Sequence, residues 1–265
     1  MTDKSIAERQ DTDLAISDIY SDAGGTGLEG IGIADLAIPY IAILQALSPQ
    51  VKKGSPNRIA GAEEGDIYNN VSKQVWKGET GIVVIPCHYA KRYIEWVPRE
   101  EGGGFVAPHD DESILKQCVR NDKNRDILPN GNEIVTTAYH SVVIVEWEGE
   151  DAELKLSRAV ISMIRTQLKK SRAWNSQISG LQRVVNGKLV TPPSFASIYR
   201  LSTETEEKNG NSYFNWHIGP PSPVCSAVIA RYAVDFFKAL RSGEVQVKPE
   251  GDVNQAPSPK DETPF

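Results

Sequence analysis

The stretch Ala152–Leu181 reads AELKLSRAVISMIRTQLKKSRAWNSQISGL, and the change of pattern at its centre decides the fold. Residues 152–163 carry the β-branched, apolar character of a strand. From Ile164 the spacing turns helical. Ile164, Leu168, Trp174, Ile178 and Leu181 fall on one arc of a helix, and Arg165, Lys169 and Arg172 cluster on the opposite side. Gly180 or Gly187 would end it.

Working outward, two more long strands precede this turn of pattern. GIVVIPCHYAKRYIEWV (81–97) is rich in β-branched and aromatic residues, and its Pro86 points to an edge or a bulge. EIVTTAYHSVVIVEW (133–147) is the second, with EGED (148–151) as a tight turn into the third. Between the first two, residues 98–133 with GGG and LPNGN form a long polar excursion. After the helix, SFASIYRLSTET (194–205) and SYFNWHIG (212–219) flank EEKNGN, the strongest hairpin signal in the chain.

The resulting order, β-β-β-α-β-β, predicts a mainly β protein. It matches a five-stranded Greek-key OB-fold with its helix between strands three and four, a scaffold often used on oligonucleotides. No βαβ alternation supports a parallel sheet. Upstream, LAIPYIAILQALSPQ gives a short element between Pro39 and Pro49, and GDIYN and VWKGETG read as turns and short strands. Downstream, Ser222 and Pro223 read as N-cap and first residue of a C-terminal helix. Val224, Val228, Ile229, Tyr232, Phe236, Phe237 and Leu240 would share its face, and Gly243 would close it. The expected division is an acidic, mobile segment over 1–37, an OB-fold domain over 38–243 and a flexible acidic tail over 244–265.

The net charge of −6 is unevenly spread. Residues 1–37 hold eight acids and two bases, whereas 155–200 hold nine bases and no acid. The average argues against a polyanionic ligand, but the local run argues for one. No apolar run reaches the ~20 residues of a membrane span, and the polar N-terminus is no signal peptide. Three widely spaced cysteines make no disulfide framework, so a bacterial cytoplasm is the expected compartment.

Signatures of chemistry are scarce. There is no GxxxxGK[ST], GxSxG or HExxH. Cys87, His88, His109 and Cys118 lack metal-ligand spacing, and adjacent strand residues point to opposite faces. Asp110 and Asp111 read as solvated loop acids. No catalytic residue, metal or cofactor is expected. Aromatic residues interleaved with bases are the better lead, since any nucleobase stacks on an aromatic ring while cations hold the phosphates. Tyr89, Lys91 and Tyr93 share a face of the first long strand, and Ile94 and Trp96 fall on the other face, which reads as core. On the hairpin, Phe214, Trp216 and Ile218 read as buried, with Tyr213, Asn215 and His217 facing outward. Candidate nucleic-acid contacts are therefore Tyr89, Lys91, Tyr93, Arg165, Lys169, Lys170, Arg172, Trp174, Arg200 and Tyr213, with core packing the competing role for Trp174.

The chain ends DETPF, and this tip is similar to the acidic, Pro-Phe-ending tail of bacterial single-stranded DNA-binding proteins, here Asp261, Glu262, Pro264 and Phe265. IPYIAILQALSPQ and MIRTQLKKSRAWNSQI look like segments of phage-encoded proteins of this length. The chain thus resembles bacteriophage single-stranded DNA-binding proteins of the OB-fold type, loosely over 40–265 and sharply only at the tip. The resemblance implies strand protection in replication, recombination and repair, dimerisation, and recruitment of replication or recombination proteins through the tail. Two other classes remain open: a strand-annealing recombinase, and a phage assembly factor whose basic run meets an acidic protein rather than nucleic acid.

Overall fold

The three strands expected around the 152–181 junction form the spine of a computed structural model that describes residues 27, 38–148, 153–208 and 210–248. In chain order the strands are β1 (Tyr40–Ile43), β2 (Ile67–Asn69), β3 (Val75–Trp76), β4 (Ile82–Val97), β5 (Gly104–His109), β6 (Val119–Arg120), β7 (Asp126–Ile127), β8 (Glu133–Glu148) and β9 (Glu153–Ile164). Helix α1 (Leu168–Gly180) follows, then β10 (Arg183–Val185), β11 (Lys188–Val190), β12 (Ser197–Lys208), β13 (Asn211–Ile218), β14 (Ser222–Pro223) and α2 (Ala227–Ser242).

β4, β8 and β9 form an antiparallel meander, paired from Val83↔Val145 to Trp96↔Glu133 and from Glu148↔Glu153 to Thr137↔Ile164. The β4 register shifts between Pro86 and His88, because proline has no N–H to give to the ladder. The main sheet runs β13-β12-β4-β8-β9-β1-β2-β3, with β5, β6, β7 and β14 attached, and it curls without closing. It therefore holds twelve strands among the described residues rather than five. Part of the surplus comes from the 98–133 excursion, which read as a loop and folds into β5, β6 and β7; the rest is β1 to β3 before β4, of which β2 and β3 lie where GDIYN and VWKGETG suggested short strands. β1 pairs parallel with β9 (Tyr40↔Val160). The Gln45 side chain, just beyond β1, bonds both the carbonyl and the N–H of Phe214 on β13.

The concave side of the curl is the main core. Ile41, Val84, Val142, Ile161, Leu201 and Trp216 meet there, and Trp174 of α1 enters the same cluster from one end. The convex side is covered in part. Ile229, Ala233 and Phe236 of α2 pack on Ile85, Cys87, Val143 and Val145, and burial pushes the Cys87 thiol up to about 12. Residues 244–248 then cross the middle of that face as a strap. Val247 joins the cluster of Tyr40, Ile94, Tyr139 and Val160, and its carbonyl accepts from Arg92 Nη1 at 3.2 Å. The Tyr40 hydroxyl donates to the Lys248 carbonyl.

Several local expectations are corrected. The helix starts at Leu168, after a single 3-10 turn over Arg165–Gln167, so Ile164 ends β9 and is exposed instead of lying on the helical arc. Ser222 and Pro223 pair with Ile198 and Ser197 as β14, which leaves Ser226 to cap α2, its Oγ accepting from Ile229 N at 3.4 Å. Val228 points to solvent rather than to the helix's packed face. Gly243 closes α2 in the left-handed conformation, as its position suggests. The expected hairpin forms, and its β12–β13 ladder runs on to Lys208↔Asn211, so EEKNGN is mostly strand. A separate ribbon, β10–β11, turns at Asn186-Gly187, both with positive φ, and all of its residues are exposed. The described residues contain no helix long and apolar enough to cross a membrane.

Candidate functional site

At the end of the meander away from α2, the convex face opens into a groove of about 610 Å³. Period-two alternation sets its floor. Ala138 and Met163 point into the core, so Thr137, Tyr139 and Ser162 turn outward under the groove. Ile94, Trp96 and Val97 of β4 form one wall together with Gly103 and Gly104, and Val135 and Ile164 extend the floor. Trp96 is half-buried and meets Phe105 edge-on, with centroids 5.9 Å apart. The floor and the β4 wall are uncharged.

Charge enters at the lip. Glu133, the first residue of β8, is 8% exposed and uses both carboxylate oxygens. Arg165 Nη2 lies 2.9 Å from Oε1 and Arg125 Nη1 3.3 Å from Oε2. Arg125 comes from the excursion, and Arg165 from the turn between β9 and α1. Arg165 has φ +50°, a left-handed conformation that costs an L-residue with a Cβ roughly 1–2 kcal/mol. The excursion that carries Arg125 is fastened below by Glu95, which accepts from Asn132 Nδ2 at 2.5 Å and Asn130 Nδ2 at 3.2 Å and pairs with His109 Nε2 at 2.9 Å. Burial alone would raise the Glu95 carboxyl, but these hydrogen bonds outweigh it and hold it below the usual range.

Of the residues expected to meet nucleic acid, Arg165 alone lines this groove. Tyr89, Lys91 and Tyr93 do share one face of β4, but Trp96 and Ile94 lie on the other, where the groove is. Tyr89 is exposed beside His140. Lys91 pairs with Glu112 at 3.2 Å. Tyr93 is 1% exposed and packs with Leu128 and Ile134 beneath Ile114 and Leu115. It is a core residue, because the excursion folds back over it. Trp174 is likewise core: it is fully buried, stacked on His140 and edge-on to Tyr199 at 5.6 Å.

The basic run is largely answered from outside itself. Lys169 reaches Glu206 at 2.8 Å, and Lys170 bonds Glu204 and, at 2.9 Å, Glu206. Lys155 pairs with Glu148. The Arg158 guanidinium lies over the rings of Tyr232 and Phe236. The Tyr213 hydroxyl donates to Glu206 at 3.0 Å, and Asn215, expected outside, is fully buried with its amide on the same carboxylate. Burial would raise the Glu206 carboxyl, yet the bonds from Lys169, Asn215, Lys170 and Tyr213 bring it down to about 2. Arg200 bonds the Thr80 carbonyl. Arg172, Arg183 and Lys188 are exposed and make no ion pair among the described residues. Asp261, Glu262, Pro264 and Phe265 lie outside the described residues.

Sequence reasoning missed Trp96, Arg125 and Glu133. The alternation along β4 already put Trp96 opposite Tyr93, and only the assumption that this face was core hid it.

A mainly β chain with a convex-face groove is the class these features define. It belongs to the Pam3 phage gp34-like protein family, whose model matches residues 8–246, and so to a bacteriophage family. No curated protein and no solved structure matches it.

Proposed function

We propose that the chain binds single-stranded DNA without sequence preference and without catalysis, on an OB-type scaffold. One observation carries the reading: the position of the groove relative to the connectivity. The five longest strands run β13-β12-β4-β8-β9, with α1 between the third and fourth in sequence. That order supports an OB reading, with the sheet open where the third and fifth strands would meet and β1 standing there beside β9. OB-folds take oligonucleotides on the face of their second and third strands, beside the loop that follows the first. Here those are β8, β9 and the excursion, and the groove lies among them. Trp96 offers a ring for stacking, and Arg165 and Arg125 offer charge. In a phage such a protein would protect exposed strands during replication and recombination. The tail would recruit partner proteins.

The test is a titration of intrinsic tryptophan fluorescence with poly-dT at low salt. Saturable binding is expected, with a log–log salt slope of about −3 if some four phosphates are met. No response at any salt concentration overturns the proposal, and an annealing assay with complementary strands separates simple binding from strand pairing. A phage assembly factor without nucleic-acid binding is the second reading. It is favoured by the internal pairing of Lys155, Arg165, Lys169 and Lys170 and by the exposed apolar Val184 and Leu189 on the β10–β11 ribbon.

A further inference from the structure

We infer that Arg125 and Arg165 form a phosphate subsite at the lip of the groove, with Glu133 as the fixed carboxylate that aims both guanidinium groups. The inference rests on the DNA-binding reading and names the place where a backbone phosphodiester would sit.

Three observations carry it. First, Arg125, Glu133 and Arg165 are the charged residues among those lining the groove, so the lip carries one net positive charge over an uncharged floor. Second, each arginine uses a nitrogen on Glu133 at 3.3 and 2.9 Å. A guanidinium has five N–H donors in a planar fork, so donors remain on both for a second anion. Third, Arg165 holds a backbone conformation that suits glycine. A long charged side chain on a strained backbone beside a cavity marks a position serving a ligand.

The competing role is a staple, in which the two ion pairs only tie the excursion to the β9–α1 turn. Arg165→Gly distinguishes the two, since it relieves the backbone strain while removing the charge. In the full-length chain a subsite predicts that R165G melts at or above the wild-type temperature. It also predicts that poly-dT affinity at low salt falls about ten-fold, and that the salt slope becomes shallower by about 0.7, one phosphate on a single strand. Arg125→Ala should lower affinity in the same direction, and so should Glu133→Gln, whose amide keeps a single acceptor oxygen and leaves one guanidinium unaimed. Should R165G fail to fold, Arg165→Asn, which also tolerates positive φ, takes its place. Wild type that binds while R165G and R125A bind with unchanged affinity and slope would overturn the subsite and leave the DNA reading standing. Wild type that does not bind poly-dT overturns both.

Discussion

The imidazole of His140 stacks on the indole of Trp174, with ring centroids 4.6 Å apart and the planes inclined by 23°. His140 belongs to β8 and Trp174 to α1, so this contact, with the 2.8 Å bond between His140 Nε2 and Ser171 Oγ, seats the helix against the sheet. Neither ring reaches solvent. The helix is fixed by a histidine in an apolar setting, and that has a pH signature.

Burial pushes His140 down to about 3 from an ordinary 6.5. Between those values the unfolded chain binds a proton that the folded chain refuses, so stability rises with pH. The contribution is complete above about pH 6.5 and is lost as pH falls toward 3. Burial, with Arg241 and Arg92 nearby, also lowers His88, which acts in the same direction. Melting temperature should therefore drop from pH 7 to pH 5, before most carboxylates titrate, and His140→Gln should flatten that dependence although it melts lower overall. A wild-type curve level across this range would contradict a neutral buried His140.

Tyr93 and Trp96 should separate packing from binding. Emptying the Tyr93 site by Tyr93→Ala is expected to cost roughly 3–5 kcal/mol of stability. Trp96→Ala should instead weaken poly-dT binding by roughly 1–3 kcal/mol with a smaller change in melting. Denaturant titration and fluorescence binding on the two variants suffice. If Trp96→Ala binds as wild type does, the groove stacks no base.

Lys169 and Lys170 lie in the basic run, yet both are paired with Glu206. Burial would lower the Lys170 ammonium, but Glu204 and Glu206 hold it above its ordinary value. Lys170→Ala should leave the salt slope of DNA binding unchanged while lowering the melting temperature, because Glu206 loses a partner. The Glu206 carboxyl, held at about 2, contributes stability that is complete above about pH 4.5 and lost as pH falls toward 2. A Lys170→Ala slope shallower by a full phosphate would return that lysine to the interface.

Gly78 is the most closely surrounded of the glycines among the described residues. A Cβ there would lie 2.0 Å from the Gly65 carbonyl oxygen and 2.2 Å from Thr203 Oγ1. Those atoms are engaged with each other at 2.7 Å, and Thr203 N bonds the Gly78 carbonyl. Gly78→Ala should cost at least ~2 kcal/mol, as overpacking does, and thermal melting would show it. An unchanged melting point would mean that the β2–β3 segment is free to shift.

Deleting residues 261–265 should leave folding intact and DNA affinity equal or higher, since two negative charges leave the chain. Capture of replication or recombination proteins should fall, with Phe265→Ala doing most of the damage, as single aromatic anchors do. Pull-downs with full-length and truncated chains, set beside their poly-dT affinities, check this. Identical partner lists would leave the tip without a docking role.

The long elements were legible because their patterns are local. β-branched and aromatic runs marked β4, β8 and β9, and an apolar arc marked α1. What escaped depends on distant neighbours. Nothing near Tyr93 in sequence says that Ile114 and Leu115 will cover it, and nothing near Lys170 announces Glu204 and Glu206. Short strands such as β5 and β6 are made by their partners more than by their own residues. The candidate site was legible only at Arg165. Trp96 was placed on the correct face but given to the core, and the Glu133 bridge joins residues from three separate segments.

β1 has one more consequence, and it concerns synthesis on the ribosome. Tyr40 and Ile41 pair on one side with Val160 and Ile161, about 120 residues further along the chain. At translation rates of roughly 5–20 residues per second, that edge of β1 waits on the order of ten seconds for its partner. Throughout that interval Ile41 and Ile43 stand without the β9 side of their core. The nascent chain must hold an apolar edge open until β9 emerges, and a factor that shields such edges would raise the yield of native protein more than it speeds any later step.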